Sequence, residues 1–106
     1  MLVVTSETVA NHRIVKTLGL VRGNTVRARH VGKDILASLR NIVGGEIHEY
    51  AKLIAESREQ SIDRMVAEAL SLGANAIVAT RFTTSVMMGG AAELLAVGTA
   101  VVIESE

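Results

Sequence analysis

The chain has 106 residues, one domain's worth, of which 49% are hydrophobic and 21% charged, with a formal net charge of zero and a mean hydropathy of +0.37. That composition excludes a disordered segment, which needs low hydrophobicity and high net charge. The absence of cysteine excludes disulfides, thiolate metal sites, CxxC redox chemistry and cysteine nucleophiles. The zero charge conceals two unlike halves. Residues 1–45 carry seven Lys and Arg against Glu7 and Asp34, a net of +5. Residues 46–106 carry four cations against nine acids, a net of −5. A short, apolar, neutral chain has no long-range repulsion between copies, and its surplus apolar surface is expected to be covered by other copies.

In chain order, residues 2–5 read as a short β-rich start. Residues 13–21 place Ile14, Leu18 and Leu20 on one face. Arg22-Gly23-Asn24 supplies turn chemistry and residues 25–31 alternate again, so the pair is expected to be a hairpin. In its second strand Val26, Ala28 and His30 face one way, Arg27 and Arg29 the other. Gly32 and Asp34 then precede Ile35, Leu36, Leu39, Ile42 and Val43, whose spacing predicts a helix, with Asp34 in its positive first turn. Gly44-Gly45 stops it.

A longer helix is expected over 49–72. Its predicted apolar stripe is Ala51, Ile54, Ala55, Ile62, Met65, Val66 and Ala69. Lys52/Glu56 and Arg64/Glu68 are spaced as i,i+4 ion pairs on its exposed face. Leu72-Gly73 ends the helix. Residues 74–82 begin as a buried strand that Thr83–Ser85 extends. Residues 91–97 have helical propensity, but a hairpin about Gly89-Gly90 keeps the sheet continuous, so strand is expected there. The expected fold is α+β, a single domain over 1–106. Two helices pack on an antiparallel or mixed sheet in the order β-β-β-α-α-β-β, with the subunits assembling into a ring.

The start of the chain lacks a basic region and a long apolar run, and 82–103 is broken by Thr83-Thr84-Ser85, Gly89-Gly90 and Gly98-Thr99. A soluble cytoplasmic protein without a membrane partner is expected.

Few residues offer chemistry. His12, His30 and His48 are spread along the chain, none at a ligand spacing to another histidine. His48 with Glu46, or His30 with a histidine of another copy, are the candidate ligands for a divalent transition metal; the plain alternative is solvated or edge-of-core histidine. No other cofactor is indicated. Val31-Gly32-Lys33-Asp34 lacks the glycine of a phosphate loop, since position 27 is Arg. Arg27 and Arg29, near Arg22 and Arg13, make the best basic patch. Without stacking aromatics or a recognition helix it points to acids of the second half, not to nucleic acid. Arg58, four residues from both Ile54 and Ile62, is expected to face the sheet or a neighbouring subunit, as a tether with a carboxylate partner such as Asp34 or the acids near Gly44-Gly45; binding of a ligand carboxylate or phosphate is the alternative. No serine sits in a Gly-x-Ser-x-Gly elbow and no acid–base pair stands out, so catalytic residues are not assigned.

Residues 34–45, Asp-Ile-Leu-Ala-Ser-Leu-Arg-Asn-Ile-Val-Gly-Gly, carry a resemblance. So do, in order, Leu18-Gly19-Leu20-Val21 with Gly23, Tyr50, Ser57-Arg58, Leu72-Gly73-Ala74-Asn75-Ala76-Ile77-Val78 and Gly98-Thr99-Ala100-Val101. The chain resembles the YbjQ family over nearly its whole length. The resemblance implies a small α+β subunit of a ring-shaped pentamer, with heavy-metal binding as the family's label. Typical members carry an acidic Asp-x-Asp-Tyr-Glu strand where this chain has Thr80–Ser85. The Arg expected after Gly-Gly is Glu46, and the Asp before Ile-Val is Asn41. The expected function is therefore a non-enzymatic homo-oligomeric binding or scaffold protein, its partner a further copy of itself. A His/carboxylate metal-binding protein is the first alternative, and an enzyme with a site between subunits the second.

Overall fold

A computed structural model describes residues 1–27, 47–86 and 92–106. Its elements are β1 (Leu2–Val3), β2 (His12–Arg27), α1 (Ile47–Ser71), β3 (Ala76–Val86) and β4 (Ala92–Ser105). The strands form one mixed sheet in the order β1-β3-β4-β2. β1 runs parallel to β3, and the β3–β4 and β4–β2 pairs are antiparallel. The described residues hold one helix. The other expected helix, with Asp34, Gly44 and Gly45, falls in 28–46, outside them. The strand expected over 91–97 is found, since β4 begins at Ala92.

The expected hairpin about residues 22–24 is not formed. β2 is one strand of 16 residues paired along its length with β4, from His12 opposite Ser105 to Arg27 opposite Ala92. Gly23 serves close approach instead of a turn. A Cβ there would stand 2.1 Å from the Ser61 carbonyl oxygen and 2.5 Å from the Met65 nitrogen, so the main chain of α1 lies directly on β2. Small residues repeat this on the helix-facing side of the sheet. Ala96 and Ala100 alternate with half-buried neighbours on β4, and both are fully buried against Val21, Ile77, Met65 and Ala69.

The buried stripe of α1 is Ser57, Ser61, Met65 and Ala69, four residues apart. Ile54, Ala55, Ile62 and Val66, expected on the stripe, are half-buried at its flanks. The helix ends as expected. The Gly73 N–H donates to the Leu70 carbonyl at 3.0 Å and the Ala74 N–H to the Ala69 carbonyl at 3.1 Å, with Gly73 at φ 86°. That is a Schellman cap, whose left-handed residue glycine suits.

On the other side of the sheet a second cluster, Ala76, Val78 and Val101, is covered by Val4, Val9 and Ile103. The N-terminal segment is held there by Val4 N–H to the Ile77 carbonyl, and by Ala79 and Thr80 N–H to the Ser6 and Val4 carbonyls. It covers only the end of the sheet near β1.

Candidate functional site

The uncovered surface follows from strand register. Cross-strand partners share a face, and α1 packs on the face of Val21, Gly23 and Thr25. The opposite face therefore carries the rows Leu20–Thr99–Val78, Arg22–Val97–Arg81, Asn24–Leu95–Thr83 and Val26–Glu93–Ser85. Burial alternates in step. Val21, Gly23 and Thr25 are buried, whereas Leu20, Arg22, Asn24 and Val26 are exposed, Leu20 by 66%. Beyond the first row the face is open among the described residues. The face is apolar in Leu20, Val26, Leu95 and Val97 and carries two cations, Arg22 and Arg81, and one acid, Glu93. One Arg81 Nη1 donates at 2.7 Å to the Thr5 and Thr80 carbonyls. Asn24 Nδ2 donates to Glu93 Oε2 at 3.2 Å.

On the far side of the molecule, the outer face of α1 is acidic. Lys52, Ala55, Glu56, Glu59, Gln60 and Asp63 line a shallow depression there, and Glu56, Glu59 and Asp63 are exposed. The expected ion pairs along the helix do not form. The one ion pair among the described residues joins Arg13 to Glu104 at 3.4 Å, on the exposed surface. Arg64 and Glu68 reach across to β2 instead. Arg64 Nη1 donates to the Asn24 carbonyl, and Glu68 Oε2 accepts from the Arg22 N–H at 3.4 Å. Main-chain groups on the free side of an edge strand have no sheet partner, and these two side chains supply one.

A polar cluster lies between helix and sheet. Thr25, Ser57 and Ser61 are buried. Ser61 Oγ lies 3.0 Å from the Ser57 carbonyl, 3.1 Å from the Leu94 carbonyl and 3.2 Å from Thr25 Oγ1, which itself donates to the Ser57 carbonyl. Every member has a partner, so the cluster locks the helix in register over β2 and β4 and offers no free group to a ligand. Thr80 Oγ1, 2% exposed as a residue, is the buried side-chain oxygen without a partner among the described residues. It sits at the β3 bulge, beside Ala79 at φ 54°.

Most of the sequence-predicted site residues lie outside the described residues, and those described are not brought together. Arg58 is exposed on α1 and not buried within the subunit, because the buried stripe runs through Ser57 and Ser61, one position round the helix from the expected row. His30, Arg29, Asp34, Gly44, Gly45 and Glu46 lie outside the described residues. Arg27 and His48 are placed by their main chain only, at the end of β2 and in the first turn of α1. His12 opens β2, its Nδ1 donating to the Ala10 carbonyl at 2.8 Å. Among the described residues no three His, Asp or Glu side chains form a group able to hold a metal. No described helix is long and apolar enough to cross a membrane.

Comparison with known proteins decides the family. The YbjQ family model, described as "Putative heavy-metal-binding", matches residues 1–104. The chain belongs to the YbjQ family. A UPF0145 protein of Dehalococcoides mccartyi is 57% identical over 98% of this chain and all of that one. UPF0145 proteins of the archaea Archaeoglobus fulgidus and Methanosarcina acetivorans are 57% and 53% identical, over 95% and 97% of this chain and 94% and 97% of theirs. A crystal structure of a protein of unknown function from Pediococcus pentosaceus, of the DUF74 family, matches with a TM-score of 0.66 over 98% of both chains at 14% identity. That likeness shows a shared fold across distant sequences. The donor set described for this YbjQ chain does not compose the heavy-metal site that the family description names.

Proposed function

We propose that this YbjQ protein is a non-enzymatic, cytoplasmic subunit that works as a homo-oligomeric binding or scaffold protein, closed into a ring, with five copies as the number its family resemblance implies. One observation carries this reading: the single chain is too open to be a finished globule. Its radius of gyration is 17.2 Å and its extents 56 × 24 × 17 Å, where a compact chain of this length has a radius of about 13 Å. It exposes 6960 Å², against roughly 5,700 Å² for a compact monomer of this mass. The difference, roughly 1,300 Å², is what one specific protein interface buries.

Sedimentation equilibrium at micromolar concentration tests the reading, which expects a discrete mass several times 11.2 kDa. A monomer would remove it.

The family description supports a second reading, binding of a transition-metal ion through imidazole and carboxylate donors. Its candidates are His30, His48 and Glu46. Calorimetric titration with zinc, nickel and copper ions, repeated on His30→Ala and His48→Ala, tests it. Heat that both substitutions leave unchanged, or none at all, rules it out.

A further inference from the structure

We propose that the bulge of β3 is a phosphate-binding site held shut by the N-terminal segment, whose main-chain carbonyls occupy the donors that a phosphate group would take. Only contacts within one subunit are involved, so the site stands or falls independently of the oligomeric reading.

The bulge puts three donors in a row. Val78 lies opposite Thr99 and Arg81 opposite Val97, so Ala79 and Thr80 both fall opposite Gly98. In a regular strand the N–H groups of consecutive residues point to opposite edges. Ala79, at φ 54°, breaks that alternation, and its N–H and that of Thr80 both leave by the outer edge of β3. They donate to the carbonyls of Ser6 at 2.8 Å and Val4 at 3.1 Å. Arg81 Nη1 donates to the carbonyl between them, that of Thr5, at 2.7 Å. Three consecutive residues of β3 thus hold three consecutive carbonyls. Successive N–H groups turned to one side form a concavity suited to an anion, and the guanidinium beside them supplies the charge.

The carbonyls are weaker acceptors than a phosphate would be. Arg81 forms no ion pair among the described residues, where Arg13 and Glu104 make the one such pair. Glu7, next along the segment, is therefore not its partner. Glu93, on the same sheet face, lies opposite Ser85, four residues further along β3, and is bonded by Asn24. A guanidinium bonds a phosphate oxygen more strongly than a neutral carbonyl. The bulge is also costly to hold. A left-handed φ disfavours alanine, and Thr80 Oγ1 is buried with no partner among the described residues. Such strain persists at ligand clamps, where the surroundings enforce it. The segment that enforces it here is lightly held. β1 has two residues, and the cover over Ala76, Val78 and Val101 rests on Val4 and Val9, both half-buried, with Ile103. Release of the segment frees all three donors at once and carries Glu7 away with it.

The test uses the full chain in a chloride buffer. Potassium phosphate is titrated against potassium chloride of equal ionic strength, with affinity read by calorimetry and the segment by amide hydrogen exchange. Phosphate is expected to saturate and to speed exchange in residues 1–9, the reverse of what a ligand that merely stabilises the fold produces. Val4→Ala with Val9→Ala loosens the segment and is expected to bind phosphate about tenfold more tightly, because less of the protein is held shut. Arg81→Gln is expected to abolish binding, and Arg81→Lys, charged but without the fork, to keep a weakened response. Circular dichroism matching the parent confirms the fold of each variant. A phosphate monoester titrated alongside separates the sources: tighter binding of the ester marks the phosphoryl group of a larger molecule, equal binding marks free phosphate. The proposal is overturned by no saturable binding in the parent or the double valine variant, by equal affinity in those two proteins, by binding that Arg81→Gln retains, or by slowed exchange in residues 1–9.

Discussion

Gly23 leaves no room for a methyl group. Ala there would drive its Cβ into the Ser61 carbonyl and the Met65 nitrogen, both main-chain atoms of α1 that move only with the whole helix. Gly23→Ala is expected to cost about 3 kcal/mol, the upper end for overpacking, and to lower the melting temperature by roughly 12 °C or more. A change of a degree or two would mean that the helix rests further from β2 than described. The hydroxyls beneath the helix act as a unit. Ser61→Ala is expected to cost about 1–2 kcal/mol, and Ser61→Ala with Thr25→Val less than the two single changes together, because no unpaired hydroxyl then remains. Thermal or urea melts of the four proteins measure that coupling; strict additivity would deny the cluster. Arg58, exposed on the helix, carries the opposite expectation. Arg58→Ala should stay within about 0.5 kcal/mol of the parent in a thermal melt, whereas a tether buried within the subunit would lose several.

At the scale of elements, the pattern of residues revealed α1, its end at Leu72-Gly73, the β3–β4 pair and the small start strand, because each rests on local signals: helical period, a helix-ending glycine, alternation. It misled at β2. Gly23-Asn24 carries the residue types of a turn, and only the position of a helix 34 or more residues further along shows that the glycine is needed for packing. The same cause displaced the helix stripe. The expected row sought large apolar side chains, and the buried row begins with Ser57 and Ser61, polar residues that a close helix–sheet approach requires to be small. The open sheet face was legible in outline, since Leu20, Arg22 and Val26 alternate with Val21, Gly23 and Thr25, but the false hairpin hid that alternation. A prediction belongs to the edge of β2. Arg64→Ala removes the donor to the Asn24 carbonyl, so the strand edge should become a template for unwanted pairing. Light scattering on warming should rise earlier than in the parent, and Arg64→Lys should retain most of the protection. Scattering unchanged in Arg64→Ala would show that the side chain does not guard the edge.

At the scale of the molecule, β2 and β4 set the dimensions. A strand of 16 residues at about 3.4 Å per residue is roughly 54 Å long, which accounts for the long axis of 56 Å. Among the described residues, one helix and the N-terminal segment do not cover so long a ribbon. The core among the described residues is correspondingly small: one cluster under α1 and another under Val4 and Val9. In the proposed homo-oligomer, further copies supply cover for the open sheet face. The direct measurement is the native mass of the parent protein in solution, by sedimentation equilibrium or native mass spectrometry at micromolar concentration. The account predicts one discrete species at an integer multiple of 11.2 kDa, and a single species at 11.2 kDa would contradict it.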